Sequence, residues 1–96
     1  MKIGICDDDL QIRTQLLILC KKLGYNDISQ FESGEKLLSS NIYLSLTLLF
    51  LDIEMKDMTG IEVKNILEKS SPFTLIIFIR RLRNATRRIN TTFFCY

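Results

Sequence analysis

In Lys2-Ile3-Gly4-Ile5-Cys6-Asp7-Asp8-Asp9 a short run of strand-forming residues breaks off at three consecutive carboxylates. A second stretch ends the same way. Leu46 to Leu51 is apolar at nearly every position, as a strand covered on both faces should be, and it stops at Asp52-Ile53-Glu54. This reading makes it the best-buried strand of the chain.

Working outward, strand and helix signals alternate, the pattern of a parallel sheet covered by helices. Leu10, Ile12, Leu16, Leu19, Cys20 and Leu23 recur at spacings of three and four, which predicts an amphipathic helix with these residues inward and Gly24 as its left-handed stop. Asp27 to Phe31 reads as a second strand. Ser33-Gly34-Glu35 opens a short helix through Leu37 and Leu38, with Ser33 as its cap. Thr59-Gly60 starts a third helix whose inner face would carry Ile61, Val63, Ile66 and Leu67. Pro72 breaks it, and Phe73 to Ile79 forms a fourth strand, giving βαβαβαβ.

Parallel strands joined by right-handed crossovers present their C-terminal ends along one edge, where ligands of open α/β sheets bind. If strands one and three are neighbours, about 4.8 Å apart, Asp7 or Asp8 shares a cavity with Asp52. Carboxylates that close repel one another unless a cation joins them. Mg²⁺ suits such a site: it takes one or two protein carboxylates, keeps several waters and leaves positions for phosphate oxygens. Acids at strand ends are also commonly solvated loop residues or helix N-terminal charges, and Asp9, at the start of helix one, reads as one of those. Acids after two separate strands shift the balance towards a site.

Composition narrows the chemistry further. The 96 residues suit one small domain, and 47% apolar with 25% charged residues is ordinary for a globular chain. There is no histidine, which excludes Ser-His-Asp and Cys-His catalysis and histidine metal clusters. Cys6, Cys20 and Cys95 lack CxxC spacing, so neither a disulfide framework nor a zinc site is expected. No apolar run exceeds five residues, the length of Leu75 to Ile79, which is far too short to span a membrane, and Met1-Lys2-Ile3-Gly4 leads directly into acids, so a cytosolic chain without membrane contact is expected. Charge divides the chain: residues 1–79 hold eight Lys and Arg against eleven acids, a net of −3, whereas residues 80–96 hold five Arg, no Lys and no acid.

Lys2-Ile3-Gly4-Ile5-Cys6-Asp7-Asp8-Asp9, Phe31-Glu32-Ser33-Gly34-Glu35 and Leu51-Asp52-Ile53-Glu54-Met55 followed by Gly60 together resemble the receiver domain of two-component response regulators. The wording Leu-Asp-Ile-Glu-Met and Phe-x-Ser-Gly-Glu is most similar to receivers of the LytTR class. The resemblance covers residues 1–79 and implies a flavodoxin-like (CheY-like), doubly wound parallel sheet of order 2-1-3-4. It further implies that Asp52 accepts a phosphoryl group from a sensor histidine kinase. Mg²⁺ would be held by the Asp8 and Asp52 side chains and the Glu54 backbone carbonyl, with Asp7 acting through a water. Lys56 stands where the family usually has proline, and Gly60 would let the loop after strand three turn tightly.

The resemblance ends at Ile79. The family has a hydroxyl residue at the end of strand four, where this chain has Arg80, and a lysine at the end of strand five, whereas the last lysine here is Lys69. Residues 80–96 therefore read as a non-matching, Arg-rich tail in place of the fifth βα unit, as a frameshift or truncation near residue 80 would produce. Leu82, Ala85 and Ile89 would allow a weak amphipathic helix, and Phe93, Phe94 and Tyr96 would cover part of the gap. Strand four is then expected to be an exposed apolar edge, open to a second copy or another partner. No DNA-binding domain is recognisable. Two competing readings are a phosphorylation-incompetent receiver acting as an interaction module or non-functional fragment, and a phosphohydrolase of the haloacid-dehalogenase type built on Asp7-x-Asp9.

Overall fold

The computed structural model describes the backbone of residues 1–82 and 90–95 and the side chains of residues 1–80. Strands β1 (Ile3–Cys6), β2 (Ile28–Phe31), β3 (Leu48–Asp52), β4 (Leu75–Leu82) and β5 (Asn90–Cys95) alternate with helices α1 (Leu10–Lys22), α2 (Gly34–Ser39) and α3 (Gly60–Ser70) until β4. A single 3-10 turn, Ile42–Ser45, leads from α2 towards β3. The sheet order is β2-β1-β3-β4-β5. The first four strands are parallel, as expected, and β5 runs antiparallel to β4.

Each helix begins where a short polar side chain satisfies an otherwise unpartnered N–H. Asp9 accepts from the Gln11 N–H, Ser33 from Lys36 and Thr59 from Glu62. Gly24 ends the α1 segment at φ +94°, a conformation that a side chain would strain.

The core has two layers because successive strand residues point to opposite faces. Ile5, Ile12, Leu16 and Ile79 pack under α1 with the half-buried Leu17, Ile28 and Phe50. The opposite face is larger, joining Leu49, Leu51, Ile76 and Phe78 of the sheet to Leu37, Val63 and Leu67 of α2 and α3.

Several expectations need correction. Helix α1 buries only Ile12, Leu16 and Cys20, while Leu10, Leu19 and Leu23 are exposed. A lone helix lying on a flat sheet touches it along a narrow i, i+4, i+8 stripe, so the flanking apolar positions face outward. Helix α3 behaves alike, burying Val63 and Leu67 and exposing Ile61 and Ile66. The best-buried strand is β1, buried at all four positions, because it lies between β2 and β3; β3 alternates between buried and half-buried up to Leu51, with Asp52 buried at its end. Strand four is not an open edge. It continues through Leu82, and Ile77 to Leu82 are paired in register with Cys95 to Asn90. The Thr-Thr-Phe-Phe sequence of the tail has the strand propensity to complete β4's backbone hydrogen bonding, so a partner cannot add directly to that edge. Leu82 belongs to this strand; the rest of the proposed tail helix, Ala85 and Ile89, and the side chains of Phe93, Phe94 and Tyr96 lie outside the described residues.

Candidate functional site

Cys6 pairs with Leu51 in the parallel β1–β3 ladder, so Asp7 and Asp52 follow in step at the same edge of the sheet. Both are buried, at 0% and 1% exposure, in a chain whose other described acids reach solvent. Asp8, one residue beyond the strand, is exposed. Carboxylate oxygens of Asp7, Asp8 and Asp52 all lie within 4.8 Å of one another. Two expected direct ligands, Asp8 and Asp52, thus come together with Asp7, the expected water-mediated one.

Backbone geometry fixes the two buried aspartates. The Asp9 N–H donates to Asp7 Oδ1 at 2.9 Å, and the Glu54 N–H donates to Asp52 Oδ1 at 3.0 Å. The Asp7 N–H in turn donates to the Phe31 carbonyl, tying the turn to β2. Arg13, one helical turn along α1, donates from Nη1 to the Asp7 carbonyl at 2.7 Å. Sequence reading missed this contact; an arginine six positions after Asp7, on the first turns of a helix that folds back over the strand end, is the available signal.

The loop after β3 is held as closely. The Gly60 N–H donates to the Ile53 carbonyl at 2.9 Å, and a Cβ on Gly60 would stand 2.3 Å from the Asp52 carbonyl oxygen. Only glycine lets α3 begin that near the strand end. Met55 is buried, and its sulfur accepts from Cys6 Sγ at 3.8 Å. Glu54 and Lys56 on either side of it are exposed. Asp8, alone of the three converging aspartates, lines a cleft of about 350 Å³ together with Lys56, Glu32, Glu35 and Asp57.

The donor set is suited to a hard divalent cation. All three converging groups are carboxylates, and oxygen-only sites favour Mg²⁺, Ca²⁺ or Mn²⁺ over softer metals. The neighbouring thiol is not a competing ligand: burial, then the Asp7 and Asp52 charges, push Cys6 up to about 12, so it stays protonated. Asp9 is absent from the converging group and spends Oδ1 on the Gln11 N–H at 2.8 Å, which leaves the Asp7-x-Asp9 hydrolase reading without its paired acid. Arg80 is exposed on β4 directly after Ile79, whose backbone partner is Asp52.

The fold agrees with what the chain resembles. A family model of the response regulator receiver domain matches residues 3–91. Chemotaxis protein CheY4 of Vibrio cholerae superposes with a TM-score of 0.75 at 21% identity, covering 88% of this chain and 71% of that one, a likeness of fold. Response regulator protein TrrA of Thermotoga maritima, solved in complex with Mg²⁺ and BeF, is 34% identical with a TM-score of 0.71, over 79% of this chain and 66% of that one. A chain from the complex of the histidine kinase ThkA with TrrA matches at 31% identity and a TM-score of 0.72, over 90% of this chain and 77% of that one. No curated protein matches the chain. With the family model covering nearly all of its length, the chain belongs to the response regulator receiver domain family.

Proposed function

We propose that this receiver domain is a phosphoacceptor that takes a phosphoryl group on Asp52 from a sensor histidine kinase with the help of Mg²⁺. One observation carries the reading: three carboxylates from two adjacent strand ends converge within 4.8 Å beside an open cleft. Asp8 and Asp52 would hold the ion through their side chains, Glu54 through its carbonyl and Asp7 through a water. The ion would neutralise the charge shared by the attacking carboxylate and the incoming phosphoryl oxygens.

What the chain itself does is position and exclude. Asp52 is buried and its Oδ1 is fixed by the Glu54 N–H, so its carboxylate is oriented before a donor arrives. A carboxylate anion attacks without a general base, since it has no proton to lose. Its oxygen forms the new P–O bond as the P–N bond of the donor phosphohistidine breaks, and the released imidazole takes a proton from solvent. The product is an acyl phosphate. The domain acts once per phosphorylation and signals through protein contacts, and it is not a turnover enzyme.

Kinship with a regulator solved in complex with a histidine kinase supports a kinase as partner. The Leu51-Asp52-Ile53-Glu54-Met55 wording supports the LytTR class. Free, buried Cys6 and Cys20 suit a reducing cytoplasm, and no helix among the described residues is long and apolar enough to cross a membrane. Acetyl phosphate or beryllofluoride with Mg²⁺ tests the chemistry. A gain in intact mass that Asp52→Asn abolishes is the expected result.

A second reading, an interaction module that keeps the fold without the chemistry, is favoured by Arg80, which stands one residue past the Asp52 level of the sheet, where the family has a hydroxyl residue. Phosphoryl oxygens would then lack a hydroxyl donor there. No adduct under the same conditions, from a chain that melts cooperatively, would establish it.

A further inference from the structure

We propose that Arg13 is a positioning residue for the metal site, holding the Asp7–Asp8 turn so that its carboxylates meet Asp52. The inference rests on the phosphoacceptor reading and deepens it. The Arg13 guanidinium donates from Nη1 to the Asp7 carbonyl at 2.7 Å, short for such a bond and charge-assisted. Asp7 is itself held at two further atoms. Its N–H points to Phe31 of β2, its Oδ1 takes the Asp9 N–H, and its carboxylate belongs to the converging group. Arg13 thus ties the backbone carbonyl of Asp7 to α1.

Arg13 also lies near the site as a charge. It is the only one of the groups acting on the Cys6 thiol that pulls it down, against burial and the charges of Asp7, Asp52 and Asp8. It lines a cleft with Phe31 and Glu32, of β2 and the loop that follows, and Glu32 also lines the cleft that Asp8 borders. A positive charge at this place has two opposed effects on a bound cation. Through space it repels Mg²⁺; through the Asp7 carbonyl it orders the ligands. The sign of the change on removing it separates the two.

Supporting groups behind metal ligands are worth about tenfold or more in metal affinity. Mg²⁺ titration of the full chain, followed by the backbone amide resonances of Asp8 and Asp9, is the measurement. Arg13→Met keeps the apolar stem and removes the donor; it is expected to weaken Mg²⁺ binding about tenfold and to broaden the Asp9 amide, which reports the turn directly. Arg13→Lys restores one donor and the charge, and is expected to recover most of the affinity. Thermal melts in a chelator check folding, since a destabilised but still folded protein binds its ligand unchanged. Mg²⁺ binding that is unchanged or tighter in Arg13→Met overturns the positioning role alone. If Arg13→Met does not fold, Arg13→Lys with affinity and Asp9 amide unlike the wild type's overturns it as well. A folded wild-type chain with no Mg²⁺ response overturns the phosphoacceptor reading, and this inference with it.

Discussion

Asp7 and Asp52 use the same local device on adjacent strands: each accepts at Oδ1 the N–H of the residue two positions on, at 2.9 and 3.0 Å. This local side-chain turn stops the strand and orients the carboxylate in one step. Because Cys6 and Leu51 are in register, the two turns stand side by side and bring like charges together. Such an arrangement costs stability in the free chain and favours a bound cation.

Mg²⁺ is therefore expected to raise the melting temperature. At about 100 times its dissociation constant, a ligand specific to the folded state adds about 2.7 kcal/mol. For a domain of this size that corresponds to at least about 10 °C. Asp52→Asn and Asp8→Asn should each abolish most of the rise. Asp52→Asn should also melt higher than the wild type in a chelator, because one of the crowded charges is gone. Melting curves with and without Mg²⁺ read both effects, and equal Mg²⁺ shifts in all three proteins would contradict the site.

Gly60 and Gly24 should respond differently to alanine. At Gly60 the new methyl would stand 2.3 Å from the Asp52 carbonyl oxygen, against backbone that cannot turn away. Gly60→Ala is expected to cost about 1–3 kcal/mol and to weaken the Mg²⁺ response, because the strain falls on the strand end carrying Asp52. Gly24 meets nothing within 4 Å and is strained only by its φ of +94°. Gly24→Ala should cost about 1 kcal/mol and leave Mg²⁺ binding alone. Urea unfolding with parallel Mg²⁺ titration distinguishes the pair.

Asp9 is expected to matter for stability and not for chemistry. Its Oδ1 caps α1 at the Gln11 N–H, so Asp9→Ala should cost about 1 kcal/mol. The beryllofluoride adduct should survive, since Asp9 lies outside the converging carboxylates. Loss of the adduct in a folded Asp9→Ala protein would return the Asp7-x-Asp9 pair to consideration.

The strand ends were legible because alternation and breakers are local signals: Asp7 to Asp9 and Asp52 to Glu54 stop strands wherever the chain goes. Parallel pairing then placed the acids together. The helix faces were less legible, since spacing marks every apolar residue of α1 alike, while only contact with a sheet decides that Leu16 is buried and Leu19 is not. The covered edge of β4 was less legible for a related reason. Arginines dominated the reading of residues 80–96, whereas partners at a distance, Ile77 to Leu82 pairing with Asn90 to Cys95, determine that the tail returns as an antiparallel strand. Arg13 was less legible because its position six residues after Asp7 is the sole sequence signal of its contact, which is to a backbone carbonyl and not to a complementary side chain.

Cys6 supplies a pH dependence of known sign. Its thiol is raised from the ordinary 9.0 to about 12, first by burial and then by the charges of Asp7 and Asp52. Below about pH 9 the folded and unfolded chains both keep the proton, and the thiol contributes its full share of stability. Between about 9 and 12 the unfolded chain gives it up and the folded chain does not, so stability falls as pH rises. The loss attributable to this group should be about 1 kcal/mol between pH 9 and pH 10. Tyrosines and lysines titrate in the same range, so the readout is the difference between wild type and Cys6→Ala in urea unfolding at the two values. The advantage of the wild type is expected to shrink by that amount. The same burial should leave Cys6 unmodified by iodoacetamide at neutral pH in the folded chain and alkylated once urea unfolds it. Rapid alkylation of folded Cys6, mapped by peptide mass, would mean that the strand end carrying Asp7 is open to solvent.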